Sequence, residues 1–404
     1  MQKILLSAYA CDPSKGSEPG NGYNWAKQLA LLGYEIHCIT TSKGKSAIKQ
    51  KAEGNEKLNF TFVDLPFGLD KIYSTSKLGM YLHYFLWQWR AYRVGKKLHK
   101  TSSFDLVHHI TWGSVQQGSF MYKLPIPMIF GPAGGGQKSP EALRRFFLGA
   151  WKSEEKREFI TNKFIKYNPA CFKMVKKASV ILASNIPTKE LVESLGCKNT
   201  KLVLDVGLPK AFYPKVIPKR KIDKENLKLL WVGRFMPRKG LILLLEVMNE
   251  LKSYPNIELT IVGDGEMKEI LLQGIEKYDL KNTNWVGKVP FNEVPNYYAS
   301  HDLFVFSSLR DSVGVQLIEA MAYGLPIITL DLNGASLLVD DTRGIKIPVK
   351  DSEQIVLDFA KAIIALSKDS VRLEQMSNNA FDYSKQFIWE DKIKDIADKY
   401  YPKP

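Results

Sequence analysis

The stretch from residue 303 to residue 326 constrains the fold most strongly, because it joins a strand, a glycine turn and a short helix. Residues 303–306 form an apolar, strand-like run, and the chain then turns through Gly314 into a helix. Gly324 and Pro326 end that helix, since glycine readily adopts the left-handed conformation past a helix end and proline cannot continue the helix. A strand–turn–helix unit of this kind is typical of α/β proteins.

Two carboxylates flank this turn and indicate what it could bind. Asp311 lies in the loop before the helix, and Glu319 lies within the helix. The free amides at a helix N-terminus carry partial positive charge and attract anions, whereas carboxylates accept hydrogen bonds from hydroxyls. A sugar nucleotide would suit this arrangement, because its phosphates could bind the helix amides while its hydroxyl groups bind the two carboxylates. The same spacing is also compatible with a structural turn, in which Glu319 pairs with a lysine or an arginine.

The alternation of strands and helices predicts two domains. A β-α-β opening is expected from residue 3 to residue 40, and the pattern starts again with a strand at 227–232. Between the halves lies a proline-containing stretch with the basic cluster 219–221, which is typical of a linker. We therefore predict a first domain over 1–208, a linker over 209–226, a second domain over 227–380 and a C-terminal segment over 381–404.

The composition is that of a globular protein with a basic surface. The chain has 404 residues, 45% of them hydrophobic, and a formal net charge of +15. This charge suits nucleotide phosphates, an anionic membrane surface or nucleic acid, but it also fits a basic surface with no single target. The four cysteines form no CxxC pair, which favours a reduced, cytoplasmic compartment. No apolar run is long enough to predict a membrane-spanning helix or a signal peptide.

Candidate site residues of the first half follow predicted strands, because ligands of open α/β sheets bind outside the carboxyl ends of strands. The glycine-rich loop after the first strand carries Glu18 and Gly20, and another strand ends with His108 and His109. Since side chains alternate along a strand, we expect only one histidine to face a cleft, and favour His109. The adjacent glycines Gly134 and Gly135 after strand 127–130 favour close backbone approach to a ligand, although ordinary loops are an alternative.

Candidate site residues of the second half also follow predicted strands. Arg234 and Lys239 flank a strand end and a helix start, where two cations can bind a diphosphate. Surface charge is the alternative, and it fits Arg238 better than it fits the pair Arg234 and Lys239. Two further loops follow the strands at 257–262 and 284–287, and they contain Gly263, Asp264 and Lys288.

Residues 78–98 predict a long aromatic helix with a basic end. Such a helix could contact a bilayer interface or a lipid-linked acceptor. The alternative, which we favour from the sequence, is a helix packed on the sheet with its basic end in solvent.

The segment from Asp311 to Pro326 resembles the signature of the retaining glycosyltransferases of family 4, which have the GT-B fold. Their pattern is Glu, seven residues, Glu, then Ala-Met-Ala-x-Gly-x-Pro, and here Glu319 and residues 320–326 match it. Asp311 takes the place of the first Glu. The resemblance implies two doubly wound Rossmann-like domains that face an interdomain cleft, with a C-terminal helix packing back on the first domain.

The resemblance also implies roles for the candidate residues. The second acid of the signature, Glu319, would bind the donor ribose and the first, Asp311, the transferred sugar. Arg234 and Lys239 would bind the donor diphosphate, and a histidine such as His109 would lie near the donor sugar. The remaining donor-side candidates are Gly263, Asp264, Lys288, Gly314 and Val315, and the candidates for the acceptor or cleft loops are Glu18, Gly20, His108, Gly134 and Gly135.

The function implied by the resemblance is retaining transfer of a hexosyl group from a nucleotide sugar to a glycan or glycolipid hydroxyl. The basic and aromatic patches of the chain lead us to expect a role in bacterial polysaccharide or lipopolysaccharide assembly at an inner membrane surface. We expect no cofactor and no metal, because no Asp-x-Asp motif is present to hold a divalent cation, and we expect no nucleic-acid partner. The alternatives are a sugar-nucleotide epimerase or a phosphorylase on the same fold. A non-enzymatic protein that binds polyanions or membranes is a further alternative.

Overall fold

The computed structural model describes residues 1–218 and 226–403, and these residues form two compact units. The first unit consists of residues 1–136, 159–207 and 389–404. The second consists of residues 137–158 and 208–388. In the described part of the chain, no helix has the length and apolar character needed to cross a membrane.

Strands and helices alternate along both halves of the chain. In the first half they are β1 (Lys3–Ala8), α1 (Ser17–Leu31), β2 (Glu35–Thr40), α2 (Lys45–Ala52), β3 (Leu58–Phe62), α3 (Lys77–Ser102), β4 (Leu106–Thr111), β5 (Met128–Ala133), α4 (Trp151–Tyr167), α5 (Pro169–Lys177), β6 (Val180–Ala183), α6 (Ile186–Ser194) and β7 (Thr200–Leu202). In the second half they are β8 (Leu227–Val232), α7 (Leu241–Glu250), β9 (Ile257–Val262), α8 (Lys268–Tyr278), β10 (Thr283–Gly287), α9 (Val294–Ser300), β11 (Leu303–Phe306), α10 (Val315–Ala322), β12 (Ile327–Leu330), α11 (Asn333–Leu338), β13 (Gly344–Ile347), α12 (Ser352–Ser367), α13 (Ser370–Ser384) and α14 (Trp389–Tyr400).

Each unit is built on a doubly wound parallel sheet. The first sheet has seven strands in the order β3-β2-β1-β4-β5-β6-β7, and the second has six in the order β10-β9-β8-β11-β12-β13. The strand order therefore reverses between β1 and β4 in the first sheet and between β8 and β11 in the second. Loops that follow these strands leave the sheet at the reversal, which is where doubly wound proteins bind ligands. The predicted α/β fold with two Rossmann-like domains is confirmed.

Both faces of the first sheet are covered at its centre, so its central strands are buried along their whole length. Leu5 packs in a hydrophobic cluster on one face, together with Trp87 of α3. Its neighbours Ile4 and Leu6 pack in a second cluster with Trp25 of α1. Alternation of side chains along β1 explains this division, and every residue of β4 and β5 is buried.

The C-terminal helix α14 is part of the first unit. Trp389 and Ile393 share the hydrophobic cluster of α1. The ammonium group of Lys392 donates hydrogen bonds to the carbonyl oxygens of Leu204 and Val206. Burial lowers the pKa of Lys392 to about 7, although the nearby Asp205 acts in the opposite direction. Residues 381–388, which precede this helix, group with the second unit.

The structure departs from the predicted domain boundary at residues 137–158. The prediction placed this segment in the first domain, whereas in the structure it belongs to the second compact unit. Hydrophobic packing explains the difference, because Phe146, Phe147 and Trp151 lie in the same buried cluster as Leu241 and Leu244 of α7. An apolar segment is placed by the surface that it buries, and its position in the sequence does not reveal that surface.

The predicted linker is described only in part. Residues 209–218 contact the end of α13, since the Tyr213 hydroxyl donates a hydrogen bond of 2.7 Å to the carbonyl oxygen of Ser384. The basic cluster 219–221 lies outside the described residues.

Replacing Phe147 by alanine tests the assignment of residues 137–158 to the second unit. Phe147 is 1% exposed and packs edge-on against Trp151, with ring centroids 5.5 Å apart. Loss of this buried ring is expected to lower the free energy of unfolding by about 3–5 kcal/mol, measured by urea denaturation. The matched control is Phe159→Ala, which removes a ring that is 62% exposed. Equal effects of the two substitutions would contradict the packing described here.

Candidate functional site

A carboxylate held by two cations lies at the carboxyl edge of the second sheet. Asp311 follows β11, and its Oδ1 atom accepts a hydrogen bond of 2.9 Å from Nη1 of Arg238. Its Oδ2 atom forms an ion pair with Nζ of Lys239 and accepts a hydrogen bond of 3.3 Å from the Ser308 hydroxyl. The Lys239 side chain is 9% exposed and that of Asp311 is 18% exposed. The Lys239 ammonium group and the Asp311 carboxylate thus lie side by side, and both are largely shielded from solvent.

The two cations determine the protonation state of Asp311. Burial by itself would raise the pKa of this carboxyl group, because it disfavours the charged form. The charges of Lys239 and Arg238 outweigh burial and hold the pKa of Asp311 below its usual value. Asp311 is therefore ionised at neutral pH and can accept hydrogen bonds from hydroxyl groups.

The loops after β8 and β11 are locked together by hydrogen bonds. The Leu309 amide donates to the carbonyl oxygen of Arg238 at 2.8 Å, and the Ser307 hydroxyl donates to that of Lys239 at 3.0 Å. Gly240 has a φ of 72°, and a Cβ atom there would overlap the carbonyl oxygen of Ser307. A side chain at this position would force apart the loops that carry Lys239 and Asp311.

A second ion pair orients the residue before Asp311. Nε and Nη2 of Arg310 donate hydrogen bonds to the two carboxylate oxygens of Glu154, at 2.6 and 3.1 Å. Arg157 also contacts this carboxylate, at 3.2 Å. Burial would raise the pKa of Glu154, but Arg310 and Arg157 outweigh it and lower that pKa. The α4 segment thus fixes the Asp311 loop through a bidentate pair of defined geometry.

Glu319 of α10 is a buried carboxyl group. It is 5% exposed, and its Oε2 atom accepts a hydrogen bond of 2.8 Å from the Tyr298 hydroxyl of α9. Burial raises the pKa of Glu319 to about 7, and the Tyr298 hydrogen bond opposes that rise. The sequence left a ligand hydroxyl and a basic side chain as candidate partners, whereas the structure provides a tyrosine hydroxyl. A carboxyl group that is poised near neutrality can accept hydrogen bonds from ligand hydroxyls once it ionises.

Gly314 permits the tight turn into α10. Its φ is 94°, and a Cβ atom at this position would overlap the Phe306 ring of β11. The helix that follows begins at Val315, so its free amides lie directly after the turn. These amides can bind an anion close to the Asp311 loop.

Three exposed polar residues follow the neighbouring strands β8, β9 and β10. They are Arg234, Asp264 and Lys288, and the sheet order places their loops at one edge. Gly263 has a φ of 144°, and a Cβ atom there would overlap the carbonyl oxygen of Gly233. The predicted donor-side residues of the second half thus lie together at the carboxyl edge of one sheet.

The expectation that one of the paired histidines faces a cleft was wrong for the described structure. His108 and His109 are both 0% exposed, because β4 is a central strand with both faces covered. His108 donates from Nε2 to the carbonyl oxygen of Gly131 at 2.6 Å, and its Nδ1 atom pairs with the Tyr401 hydroxyl. Burial lowers the pKa of each ring to about 3, so both are neutral.

His109 has a hydrogen-bond partner at each ring nitrogen. The Ser7 hydroxyl lies 3.0 Å from Nδ1, and the Tyr84 hydroxyl lies 3.1 Å from Nε2. The ring also stacks on Phe130, with centroids 5.2 Å apart. His109 therefore lies in the core and has no exposed surface for a ligand.

Two glycine-containing segments of the first unit, the start of α1 and the loop after β5, meet at Gly113. The exposed Glu18 accepts a hydrogen bond of 3.2 Å at Oε1 from the Gly113 amide, and Gly134 donates to the Gly113 carbonyl oxygen at 2.9 Å. Gly20 packs so closely that a Cβ atom would overlap the carbonyl oxygen of Lys15. Gly135 has a φ of 133° and contacts the side chain of Gln116. Glu18 and Gly20, which were predicted to lie in a loop, lie in the first turns of α1 after β1, because the helix already begins at Ser17. Gly134 and Gly135 follow β5, and β4 lies between β1 and β5 in the sheet.

No metal-binding cluster was found within residues 1–218 and 226–403, where no three His, Cys, Asp or Glu side chains come together as possible ligands.

Several residues of this site were missed by sequence reasoning. Arg238 was considered only as possible surface charge, whereas it shares Asp311 with Lys239. Glu154 is separated from its partner Arg310 by 156 positions, so no local pattern connects them. Tyr298 lies on a different helix from Glu319, and no motif pairs the two. The only available signal was the isolated acid on an apolar helix, which requires a partner.

Comparison with known proteins identifies the second half of the chain as a glycosyltransferase domain. Residues 213–383 match the family model described as glycosyl transferases group 1. An uncharacterized glycosyltransferase of Methanocaldococcus jannaschii is 22% identical over 315 residues, which cover 77% of this chain and 79% of that relative. The putative teichuronic acid biosynthesis glycosyltransferase TuaC of Bacillus subtilis is 26% identical over 232 residues, covering 55% of this chain and 56% of TuaC.

Solved GT-B glycosyltransferase structures match the fold of the whole chain. One similar structure is Anabaena HepE in complex with UDP, with a TM-score of 0.62 and 16% sequence identity. This match covers 98% of the present chain and 99% of the HepE chain. These structures show that the chain has the GT-B fold. The match to the family model and the glycosyltransferase relatives show that the protein is a glycosyltransferase.

The raised pKa of Glu319 predicts how stability changes with pH. An unfolded glutamate has a pKa of 4.5, whereas that of Glu319 is about 7, so the folded state binds this proton more tightly. The contribution to stability is complete below the unfolded pKa and is lost as the pH rises from 4.5 to about 7. Glu319→Gln keeps a neutral side chain and abolishes this loss.

The measurement is urea unfolding of both proteins, without nucleotide, at about pH 5 and about pH 8. As the pH rises between these values, the free energy of unfolding of Glu319→Gln minus that of the original protein should increase by on the order of 3 kcal/mol. A difference that stays constant with pH would show that Glu319 does not titrate in this range.

Proposed function

We propose that this glycosyltransferase is a retaining enzyme like those of family 4, which moves a hexosyl group from a nucleotide sugar to a hydroxyl group of a glycan or glycolipid. The observation that carries the proposal is the grouping of Lys239, Asp311 and the N-terminus of α10 at one sheet edge. It combines groups for phosphate with groups for sugar hydroxyls. Glu319 extends this set from within the same helix.

In this proposal, the donor diphosphate binds to Lys239, Arg234 and the amides of Gly314 and Val315. The ammonium group of Lys239 has three N–H donors, so its ion pair with Asp311 leaves donors for phosphate oxygens. Arg234 is exposed after β8 and can form a bidentate contact with phosphate. These positive groups stabilise the charge that develops on the diphosphate as the glycosidic bond breaks.

Asp311 and Glu319 bind hydroxyl groups in this proposal. Asp311 is already ionised and accepts hydrogen bonds from the transferred sugar. Glu319 accepts those of the donor ribose, and ribose binding favours its ionised form because hydrogen bonds to a carboxylate lower its pKa. The turns at Gly263 and Asp264 and at Lys288 would flank the nucleotide.

We propose that the cations of the site take the role that a divalent metal has in other transferases, with no cofactor required. A phosphate oxygen of the donor would accept the proton of the attacking hydroxyl on the same face of the sugar, which leads to retention of configuration. The buried His109 is left out of the reaction, and the loops near Gly113 are the candidate acceptor contacts.

The similarity to TuaC supports a role in the assembly of a bacterial surface polysaccharide or lipopolysaccharide. A cytoplasmic enzyme at the inner face of the cell membrane would suit an acceptor of this class. The net charge of +15 favours an anionic membrane surface as a partner.

Donor hydrolysis tests the proposed chemistry. A panel of UDP-, GDP- and ADP-sugars is incubated with the protein, and release of the nucleoside diphosphate is measured. One donor should be hydrolysed, and Glu319→Ala should lose the activity by at least about tenfold because the ribose contact is removed. Glu374→Ala, which changes an exposed glutamate of α13, serves as the matched control.

A thermal-shift assay with free UDP, GDP and ADP accompanies the hydrolysis assay, since a ligand that binds only the folded state raises the melting temperature. Absence of both hydrolysis and a shift with every nucleotide would refute the proposal and favour a polyanion-binding protein. Interconversion of the sugar without transfer would favour an epimerase.

Lys239→Met tests the diphosphate contact. The substitution keeps a long side chain but removes the ammonium group, so kcat/KM for the donor should fall by about 10²–10³. Lys252→Met is the control, because Lys252 forms a surface ion pair with Asp279 at 3.9 Å. Steady-state kinetics that are unchanged by Lys239→Met would exclude Lys239 from donor binding.

A further inference from the structure

Helix α3 exposes a row of large apolar side chains. Leu78, Leu82, Phe85 and Trp89 are 71%, 47%, 38% and 42% exposed. Their spacing of four, three and four residues places them on one face of the helix. Burial of such surfaces is normally favourable, so a continuous exposed row indicates a partner. We refer to these four residues as the apolar row.

The apolar row is separate from the face that anchors α3 in the first unit. Tyr84, Trp87 and Ala91 are almost completely buried in the hydrophobic cluster beside the first sheet. Trp87 also donates a hydrogen bond of 2.8 Å to the carbonyl oxygen of Val63. The sequence predicted a helix packed on the sheet, and this face fulfils that role. The apolar row lies on a different face of the helix from these anchoring residues.

The same face of α3 becomes positively charged toward its C-terminal end. Arg93, Lys96 and Lys100 continue the spacing of the apolar row, and all three are exposed. Residues 77–102 contain no aspartate or glutamate. Lys123 adds a cation beside the row, with its Nζ atom 4.4 Å from the Trp89 ring centroid. The surface therefore combines an apolar half with a cationic half, and its partner must be apolar and anionic.

The segment before α3 extends the apolar half. Phe67 is 97% exposed and Leu69 is 36% exposed. This segment packs against the first turn of α3, since a Cβ atom at Gly79 would overlap the Ile72 carbonyl oxygen. Additional apolar side chains thus lie near the N-terminal end of the apolar row.

We propose that this face of α3 docks the protein on a bilayer that contains anionic lipid. The apolar row enters the interfacial region, Trp89 lies at its boundary, and Arg93, Lys96 and Lys100 contact lipid phosphates. The proposal rests on the proposed function, because it brings the enzyme to a surface on which lipid-linked acceptors are found.

Charge and chemistry favour a lipid surface over other partners. A second copy of the chain would bring the cations of two α3 helices toward each other or against an apolar row, which is unfavourable. Nucleic acid would satisfy the cations but would leave Leu78 and Leu82 without apolar contacts. A bilayer with anionic headgroups satisfies both halves at once.

Vesicle cosedimentation tests the proposal. The full-length protein is mixed with vesicles of phosphatidylcholine alone, or of phosphatidylcholine and phosphatidylglycerol in equal amounts. We expect binding to the anionic vesicles and much weaker binding to the neutral ones, with salt reducing the former. The double variant Leu78→Gln/Leu82→Gln should bind anionic vesicles roughly tenfold more weakly.

The triple variant Arg93→Gln/Lys96→Gln/Lys100→Gln should bind roughly a hundredfold more weakly, because each cation near an anionic surface contributes about fivefold. Matched controls on the second unit are Val371→Gln, an apolar residue that is 76% exposed, and Lys361→Gln/Lys368→Gln/Arg372→Gln. These controls should bind as the original protein does.

Several outcomes would overturn the proposal. The first is absence of binding to anionic vesicles. The second is binding by the α3 variants that is as strong as that of the original protein, and the third is a loss of binding in the control variants that is as large as the loss in the α3 variants. Dissociation of a dimer by Leu78→Gln/Leu82→Gln in size-exclusion chromatography would instead assign the face to a second copy. Nucleotide-induced thermal shifts are measured on every variant, so failure of donor binding is distinguished from failure of membrane docking.

Discussion

The ion pairs of Asp311 with Lys239 and Arg238 are the interaction on which the candidate site depends. They join the loops that follow the two central strands of the second sheet, β8 and β11. Cations keep the shielded carboxylate ionised, and the carboxylate in turn holds the Lys239 ammonium group in place. Because partly buried charges of this kind are costly without partners, both loops have one favourable arrangement. Preorganised charge of this type is what stabilisation of a leaving diphosphate requires.

Close backbone packing supports this arrangement. Gly240 allows the Lys239 loop to pass against Ser307, and Gly314 allows the chain to turn beside Phe306 into α10. Glu154 fixes the same region from α4, through its bidentate contact with Arg310. The site is therefore built from segments that are far apart in the sequence and are joined by steric and electrostatic constraints.

The fold was predictable because parallel sheets leave a strong pattern in the sequence. Apolar strands such as β5 and β11, glycine turns and the signature around Glu319 were sufficient to predict the two doubly wound units. The placement of residues 137–158 was not predictable, since Phe146 and Phe147 do not reveal which apolar surface covers them. The assignment of His109 failed for a related reason. Alternation along a strand predicts two faces, but in β4 both faces are buried.

The charged partners in the site were only partly predictable. Lys239 and Asp311 were each recognised from their positions after strands, whereas their direct pairing and the participation of Arg238 depend on how two loops meet. Glu319 was recognised from the signature, but its bond to Tyr298 depends on the packing of α9 beside α10. The exposed row on α3 was visible as an aromatic helix, and only residue-by-residue exposure separates its anchored face from its free one.

The central claim is that one sheet edge of the second unit binds a nucleoside diphosphate through Lys239, the start of α10 and Glu319. A crystal structure of the protein with the bound nucleoside diphosphate that gives the largest thermal shift tests this most directly. The account predicts phosphate oxygens at Lys239 and at the amides of Gly314 and Val315, with the ribose hydroxyls at Glu319. A nucleotide bound away from these residues, or with its ribose far from Glu319, would contradict it.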